Sequence, residues 1–215
     1  MADEGTIEVA LFPIPNMVAF PGTIVPLHVF EPRYRKLVHD CVENDRLLGV
    51  SHTQKTISEP RKNQTLEEAL SSNQATYKAW EIFSAGTCEI SETLPDGRLI
   101  AEIEMTMRVH AVGEVQSLPY RIVECERLDD EPVDSAEAVE LQRAVNDKLI
   151  ELVGGQNPEV ARILGSPAWA DMAPADYSFK IFQFLRFDAD IMQDVLERQN
   201  ASERLGLVWG LLERA

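Results

Sequence analysis

The sequence predicts an α+β protein: an N-terminal β-rich pseudo-barrel carrying one helix, followed by a C-terminal α-helical bundle. Three observations predict it. Pro13, Pro15, Pro21 and Pro26 punctuate the first apolar stretch and exclude helix there, since each removes a backbone donor and disfavours the helical region for its predecessor. A period-two alternation runs through residues 99–115 behind a Pro95-Asp96-Gly97 turn. Beyond Leu128 the apolar period becomes that of amphipathic helices. Two lobes are therefore expected, a β-rich lobe over residues 1–127 and a helical lobe over residues 128–215.

The elements follow in order. Residues 7–30 read as two short strands joined by a Phe20-Pro21-Gly22 turn. Pro32 then sits in the first turn of a helix, where its missing N–H costs nothing. Tyr34, Leu37, Val38, Cys41 and Val42 form one apolar face of it, and Arg33, Arg35, Lys36, Asp40 and Glu43 read as a solvated face. Leu47–His52 is a short buried-type strand. Residues 53–76 are polar and read as a surface loop, with a possible helical turn at Leu66–Leu70. Strands over 80–94 and 99–115 flank the Asp-Gly turn, and Pro119-Tyr120 introduces a last strand over Arg121–Glu126.

After the acidic linker Asp129-Asp130-Glu131-Pro132, Ala138, Leu141, Val145, Leu149 and Leu152 form a helical stripe, entered at Asp134 or Ser135 and stopped by Gly154-Gly155. Further helices are expected over Pro174–Phe187, Asp188–Gln199 and Ala201–Glu213, the last capped by Asn200. Their apolar stripes require mutual burial, hence a bundle.

A net charge of −16 and a pI near 4.6 repel phosphate backbones. Residues 1–127 carry 12 basic against 19 acidic side chains and the remainder 8 against 17, so no basic stripe favours nucleic acid. The three cysteines, Cys41, Cys88 and Cys125, lie far apart without a C-x-x-C, which implies a reducing compartment. The start Met-Ala-Asp-Glu-Gly lacks the features of a signal peptide, and no apolar run approaches the roughly 20 residues that span a bilayer. A cytoplasmic protein without membrane contact is expected.

No catalytic, cofactor-binding or metal-binding set stands out. His28, His39, His52 and His110 fall in separate elements without metal-ligand spacing, although folding could bring His28 near Cys41. Ser178 and Lys180 lie two apart on a helix and face different directions. Glu102 and Glu104 share a strand face but have no evident acid-base partner and read as solvated. Two aromatic residues are the candidate partner-binding positions: Trp169, in what reads as a loop that would expose its ring, and Tyr34 on the first helix.

Taken together, Leu11-Phe-Pro-Ile-Pro-Asn-Met-Val-Ala-Phe-Pro-Gly-Thr-Ile-Val-Pro-Leu-His-Val-Phe-Glu-Pro-Arg-Tyr-Arg-Lys-Leu-Val38 resembles the opening of the Lon protease N-terminal domain, particularly its stand-alone members. The Gly86-Thr87 step, the Leu94-Pro-Asp-Gly97 hairpin, Arg108-Val109, the Pro119–Glu124 strand and the Asp188–Glu213 tail extend the resemblance over nearly the whole chain. It departs at Met105, where the family often has glycine, so that strand is expected to lack a bulge, and in the long 53–76 segment. The resemblance implies a PUA-like β-lobe, a helical lobe and a role in substrate recognition and assembly. The phosphate-loop pattern of the family's ATPase is absent, so no ATPase or peptidase is expected here. The expected function is non-catalytic recognition of exposed apolar or unfolded polypeptide segments, or of a partner protein. The alternatives are an enzyme with a composite site assembled on folding, and RNA binding through the PUA-like fold.

Overall fold

In the computed structural model, which describes residues 5–58, 65, 76–131 and 136–214, the chain divides into two compact units, Met1–Leu128 and Asp129–Ala215. The first contains β1 (Thr6–Pro13), β2 (Ile24–Val29), α1 (Pro32–Glu43), β3 (Leu47–Ser51), β4 (Thr53–Ser58), β5 (Thr76–Ala79), β6 (Ile82–Thr93), β7 (Leu99–Gln116) and β8 (Arg121–Arg127). The main sheet runs β2-β7-β6-β3-β1-β8, and β7 also pairs with β8. β1, β3, β6, β7 and β8 therefore close into a barrel, with β2 laid along the N-terminal part of β7. Only β1 and β3 are parallel partners in it.

Closure rests on a face change within β7. Ala85 pairs with Met107 but Gly86 with Met105, so Thr106 is an extra residue. An extra residue inverts the alternation of side chains. Leu99, Ala101, Ile103 and Met105 accordingly pack in one core with α1 and β2, whereas Met107, Val109 and Ala111 enter a second core with Val9, Leu11, Phe83 and Val123. The expectation that Met105 leaves this strand without a bulge is overturned: the close approach is supplied by the partner strand. A Cβ at Gly86 would lie 1.8 Å from the Glu104 carbonyl oxygen, so only glycine fits.

The turn before β2 is tied to the same place. Gly22 takes φ 75°, the Gly22 N–H donates to the Met105 carbonyl at 2.7 Å, and the Met105 N–H donates to Thr23 O at 2.9 Å. The two first strands are thus joined by the expected turn, yet they pair with different neighbours. In α1, Tyr34, Leu37, Val38 and Cys41 are buried, but Val42 at the stripe's margin is exposed.

The loop expected over 53–76 is corrected at both ends: Thr53–Ser58 and Thr76–Ala79 form a two-stranded ribbon, β4-β5. β4 is polar except for Ile57 and β5 is only 4 residues long, so neither carries a readable hydrophobic period, and backbone pairing makes the strands despite that. The turn of helix expected at Leu66–Leu70 lies outside the described residues, as does the expected helix entry at Asp134 or Ser135.

The second unit holds α2 (Ala136–Gly154), α3 (Pro158–Leu164), α4 (Pro167–Ala170), α5 (Pro174–Lys180), a 3-10 turn (Ile181–Gln183), α6 (Ala189–Glu197) and α7 (Ala201–Leu212). Val145, Leu149, Tyr177, Ile181, Leu205 and Val208 form its core, while Leu152 stays at the surface. The Asn200 side chain accepts from the Ser202 N–H at 2.8 Å and caps α7 as expected. The single helix expected over 174–187 is shorter: Ile181, Phe182, Phe184, Leu185 and Phe187 all pack on the core, a spread of more than half the circumference that no single helix face provides. α3 and α4 were not expected; each begins at a proline in its first turn, behind Asn157 and Ser166.

Asp130, read as part of a linker, is an anchor. The Arg204 side chain has 0% exposure and binds both Asp130 carboxylate oxygens, with its Nη1–Oδ1 contact at 2.8 Å. Its Nε donates to Ser178 Oγ at 2.8 Å, Nη1 donates to Arg198 O at 2.9 Å, and the guanidinium covers the Phe179 ring at 4.0 Å.

Candidate functional site

Two adjoining concavities of about 440 Å³ and 340 Å³ open on the barrel unit, and every residue lining them belongs to that unit. Pro13, Tyr34 and Tyr77 border both. Their positions follow from the topology. β1 ends at Pro13, α1 begins at Pro32 and so delivers Tyr34 in its first turn, and Tyr77 lies in the ribbon.

The larger concavity is floored by buried Leu11, Tyr34 and Tyr120. One wall is Thr76-Tyr77-Lys78 of β5 and the other is Ser117–Arg121. Leu118, 78% exposed, and Ile57, 62% exposed, stand at its margins. The smaller concavity is lined by Phe12, Ile14, Met17, Leu27 and Phe30 among others, with Phe30 40% exposed. Exposed large apolar side chains gathered at concave surface mark a contact site more often than isolated ones do.

Tyr34 is held rigidly between them. Its ring stacks on Phe12 with centroids 4.1 Å apart, and the Arg33 guanidinium lies 4.5 Å from its centroid. Burial, partly offset by Arg33, pushes the phenol up to about 12, so it stays protonated at neutral pH. Tyr120 donates its hydroxyl to Asp40 at 2.6 Å, and burial together with that carboxylate raises its phenol. Burial opposes ionisation of Asp40, but hydrogen bonds from Tyr120 and Lys36 hold its carboxyl below the usual range.

Basic side chains outnumber acidic ones in the lining of the larger concavity. Arg33, Lys78 and Arg121 line the larger concavity against Glu114 alone. Arg33 pairs with Glu31 at 3.0 Å, each side chain only 12% exposed, so it is not the solvated residue that helical spacing suggested. Arg121 pairs with Glu114 at 2.6 Å.

The other candidates are placed as follows. Trp169 is not an exposed loop residue: it lies in α4, is 9% exposed, and packs on Tyr177 and Phe184 with centroids 5.7 and 5.2 Å away. Pro167 starts a helix there and turns the ring inward. His28 is exposed on β2, whereas Cys41 is inside the core, so folding does not join them. Ser178 donates to Ala175 O at 2.7 Å and accepts from Arg204, a structural role apart from Lys180. Glu102 and Glu104 are exposed. Burial pushes the thiols of Cys41 and Cys125 up to about 12 and Cys88 to about 11, which keeps them protonated and poorly nucleophilic. Among the described residues no group of three or more His, Cys, Asp or Glu side chains is gathered to hold a metal, and no helix is long and apolar enough to cross a membrane. Tyr77, Tyr120, Ile57 and Leu118 were not singled out from sequence. They converge from separate segments, and only the Pro119-Tyr120 step carried a local signal.

A closed β-barrel bearing an apolar groove, with a helical unit following it in the chain, defines the class of this α+β protein. The chain belongs to the ATP-dependent protease La (LON) substrate-binding domain family, whose model matches residues 8–214. It is 22% identical over 200 residues to Lon protease 1 of Herpetosiphon aurantiacus, covering 92% of this chain and 23% of that protein. It is 26% identical over 212 residues to the Lon protease of Trichlorobacter lovleyi, covering 95% of this chain and 23% of the relative. The chain thus spans about a quarter of the length of these relatives. Its fold is shared by the N-terminal domain of Mycobacterium avium complex Lon protease, with TM-score 0.67, 13% identity, and coverage of 96% of this chain and 98% of that one. A Lon N-terminal domain protein from Xanthomonas campestris superposes with TM-score 0.57 and 18% identity, covering 94% and 97%.

Proposed function

We propose that this chain is a non-catalytic, cytoplasmic recognition module that binds exposed apolar or unfolded polypeptide segments, or a partner protein presenting one, at the groove around Tyr34. One observation carries the reading: in a chain of the substrate-binding family, two apolar concavities share Tyr34 and are margined by Leu118, Ile57 and Phe30, all substantially exposed. Such a surface is costly to leave in water and gains about 25 cal/mol for each Å² that a ligand covers. The Tyr34 phenol stays protonated and the cysteines lie in the cores instead of the groove lining, so the groove offers contact rather than bond making. Delivery of the bound segment to proteolysis is part of the same proposal.

The test is fluorescence anisotropy with a labelled, carboxymethylated polypeptide that cannot fold. The parent protein should bind it in the micromolar range, and Leu118→Asp should weaken binding at least about 10-fold without loss of stability, because the side chain is 78% exposed. Equal binding by parent and Leu118→Asp would remove the groove from the reading, and absence of binding by the parent would refute recognition of unfolded chains.

A further inference from the structure

We propose that the larger concavity takes its ligand as an added β-strand: an extended segment of alternating apolar and acidic residues, its backbone paired along the open edge of β5. This rests on the recognition reading above and specifies which polypeptides the groove selects.

Three observations carry it. The first is the geometry of the wall. Successive side chains of a strand point to opposite faces, so a surface touching only one face meets every second residue. Thr76, Tyr77 and Lys78 are consecutive and all line the concavity, so β5 meets it along its backbone and not by one face alone, with Ile57 of β4 at the margin. β5 pairs on one side, with β4, and among the described residues no strand pairs with its other side. An unpaired edge is a row of N–H and C=O groups able to accept another strand.

The second is a break in the neighbouring pairing. The β1–β8 ladder runs from Thr6–Glu126 to Leu11–Arg121 and stops. Phe12 and Pro13 continue β1 but pair with β3 only, at Val50 and Ser51. The barrel therefore leaves an opening beside the end of β1, between β5 and the 117–121 segment, where extended backbone can lie. Pro13 has no N–H, so β1 cannot fill this role alone and β5 supplies the pairing edge.

The third is charge. A protein of net −16 repels acidic ligands at long range, yet in the lining of the larger concavity Arg33 and Arg121 are matched by Glu31 and Glu114, so Lys78 adds a positive charge in excess. Lys78 is exposed on the pairing strand itself. Complementarity therefore favours an acidic residue in the ligand near Lys78. The apolar side chains on the ligand's other face would meet Leu11, Tyr34 and Tyr120.

The experiment uses the full chain and four labelled peptides of about ten residues. The first alternates Val or Leu with Ser or Asp. The second replaces each Asp by Lys. The third carries backbone N-methyl groups on alternate residues of the pairing edge, and the fourth carries them on the opposite edge. The Asp peptide should bind at least about 5-fold more tightly than the Lys peptide, and Lys78→Glu should cancel that preference. One N-methylated peptide should lose about 10-fold or more and the other little, because two or three hydrogen bonds are removed on one edge only. Equal loss, or no loss, with both methylation patterns would overturn strand addition. Absence of an Asp preference would overturn the charge assignment. If all four peptides and the unfolded polypeptide fail to bind, the recognition reading falls; if the unfolded polypeptide binds and edge methylation has no effect, only this inference falls.

Discussion

Removing the guanidinium of Arg204 tests how the second unit is held together, and the order of two substitutions is more diagnostic than either alone. In Arg204→Met the Asp130 carboxylate, Ser178 hydroxyl and Arg198 carbonyl lose a donor each or more, and the Phe179 ring loses its cation. Breaking a buried ion pair by deleting one partner costs about 3–5 kcal/mol. The carboxylate left behind keeps 22% exposure, so water covers part of it and the cost should sit near about 3 kcal/mol. In Asp130→Asn the charge left behind is the guanidinium, with 0% exposure, and the cost should reach about 4 kcal/mol or more. Urea unfolding followed by tryptophan fluorescence reads the difference. In a Trp80→Phe background the remaining Trp169 and Trp209 both belong to the second unit. A loss of about 3 kcal/mol lowers the urea midpoint by about 1–3 M. Two substitutions within about 1 kcal/mol of the parent, or Arg204→Met costing clearly more than Asp130→Asn, would refute the argument that the buried cation dominates.

Gly86→Ala should destabilise the barrel unit by more than about 3 kcal/mol, since its Cβ would meet backbone at 1.8 Å. Gly206→Ala, within α7 and with nothing near the added carbon, should stabilise by about 0.5–1 kcal/mol; thermal melts of both variants check the contrast. Alkaline pH should unfold the protein through its thiols: buried Cys41, Cys88 and Cys125 keep protons that the unfolded chain releases near pH 9. Their stability contribution is complete below about pH 9 and is lost as pH rises through 11 to 12, at up to about 4 kcal/mol per pH unit; urea midpoints that stay level between pH 8 and 10.5 would contradict this. Pro26→Val should restore an N–H on the outer side of β2 and promote association, visible as light scattering that rises with concentration and is absent from the parent.

The fold was legible wherever one residue type has one dominant physical effect. Prolines 13 to 26 excluded helix, Asp96-Gly97 placed the β6-β7 turn with Gly97 at φ 83°, and the apolar stripes located α1, α2 and α7. What failed to show was anything set by tertiary pairing. Ala101 to Val109 alternate perfectly in sequence and look like one buried face, yet Thr106 splits them between two cores. The sign of that split sits in the partner strand, at Gly86, where it is invisible until the register is known. The β4-β5 ribbon was missed for a related reason: β4 is polar except for Ile57, and β5, at 4 residues, is too short for its Tyr77–Ala79 alternation to read as a period.

The groove was less legible than the fold because it is made at strand ends. The parts of its larger concavity come from residues 11, 13, 33–34, 57, 76–78, 114 and 117–121, and no spacing rule connects them. Tyr34 could be picked out only as a helix-face aromatic, and its function as a shared wall depends on Phe12 stacking beneath it. Trp169 misled for the opposite reason, since Ser166-Pro167 is equally good chemistry for a loop and for a helix start, and the surrounding apolar residues decided for the helix. The comparison of the two sheet edges sharpens the point. β2 and β5 each end a sheet, but β2 carries Pro26 in its middle, which denies an incoming strand one of its donors, whereas β5 has no proline and turns its edge into a basic, apolar groove.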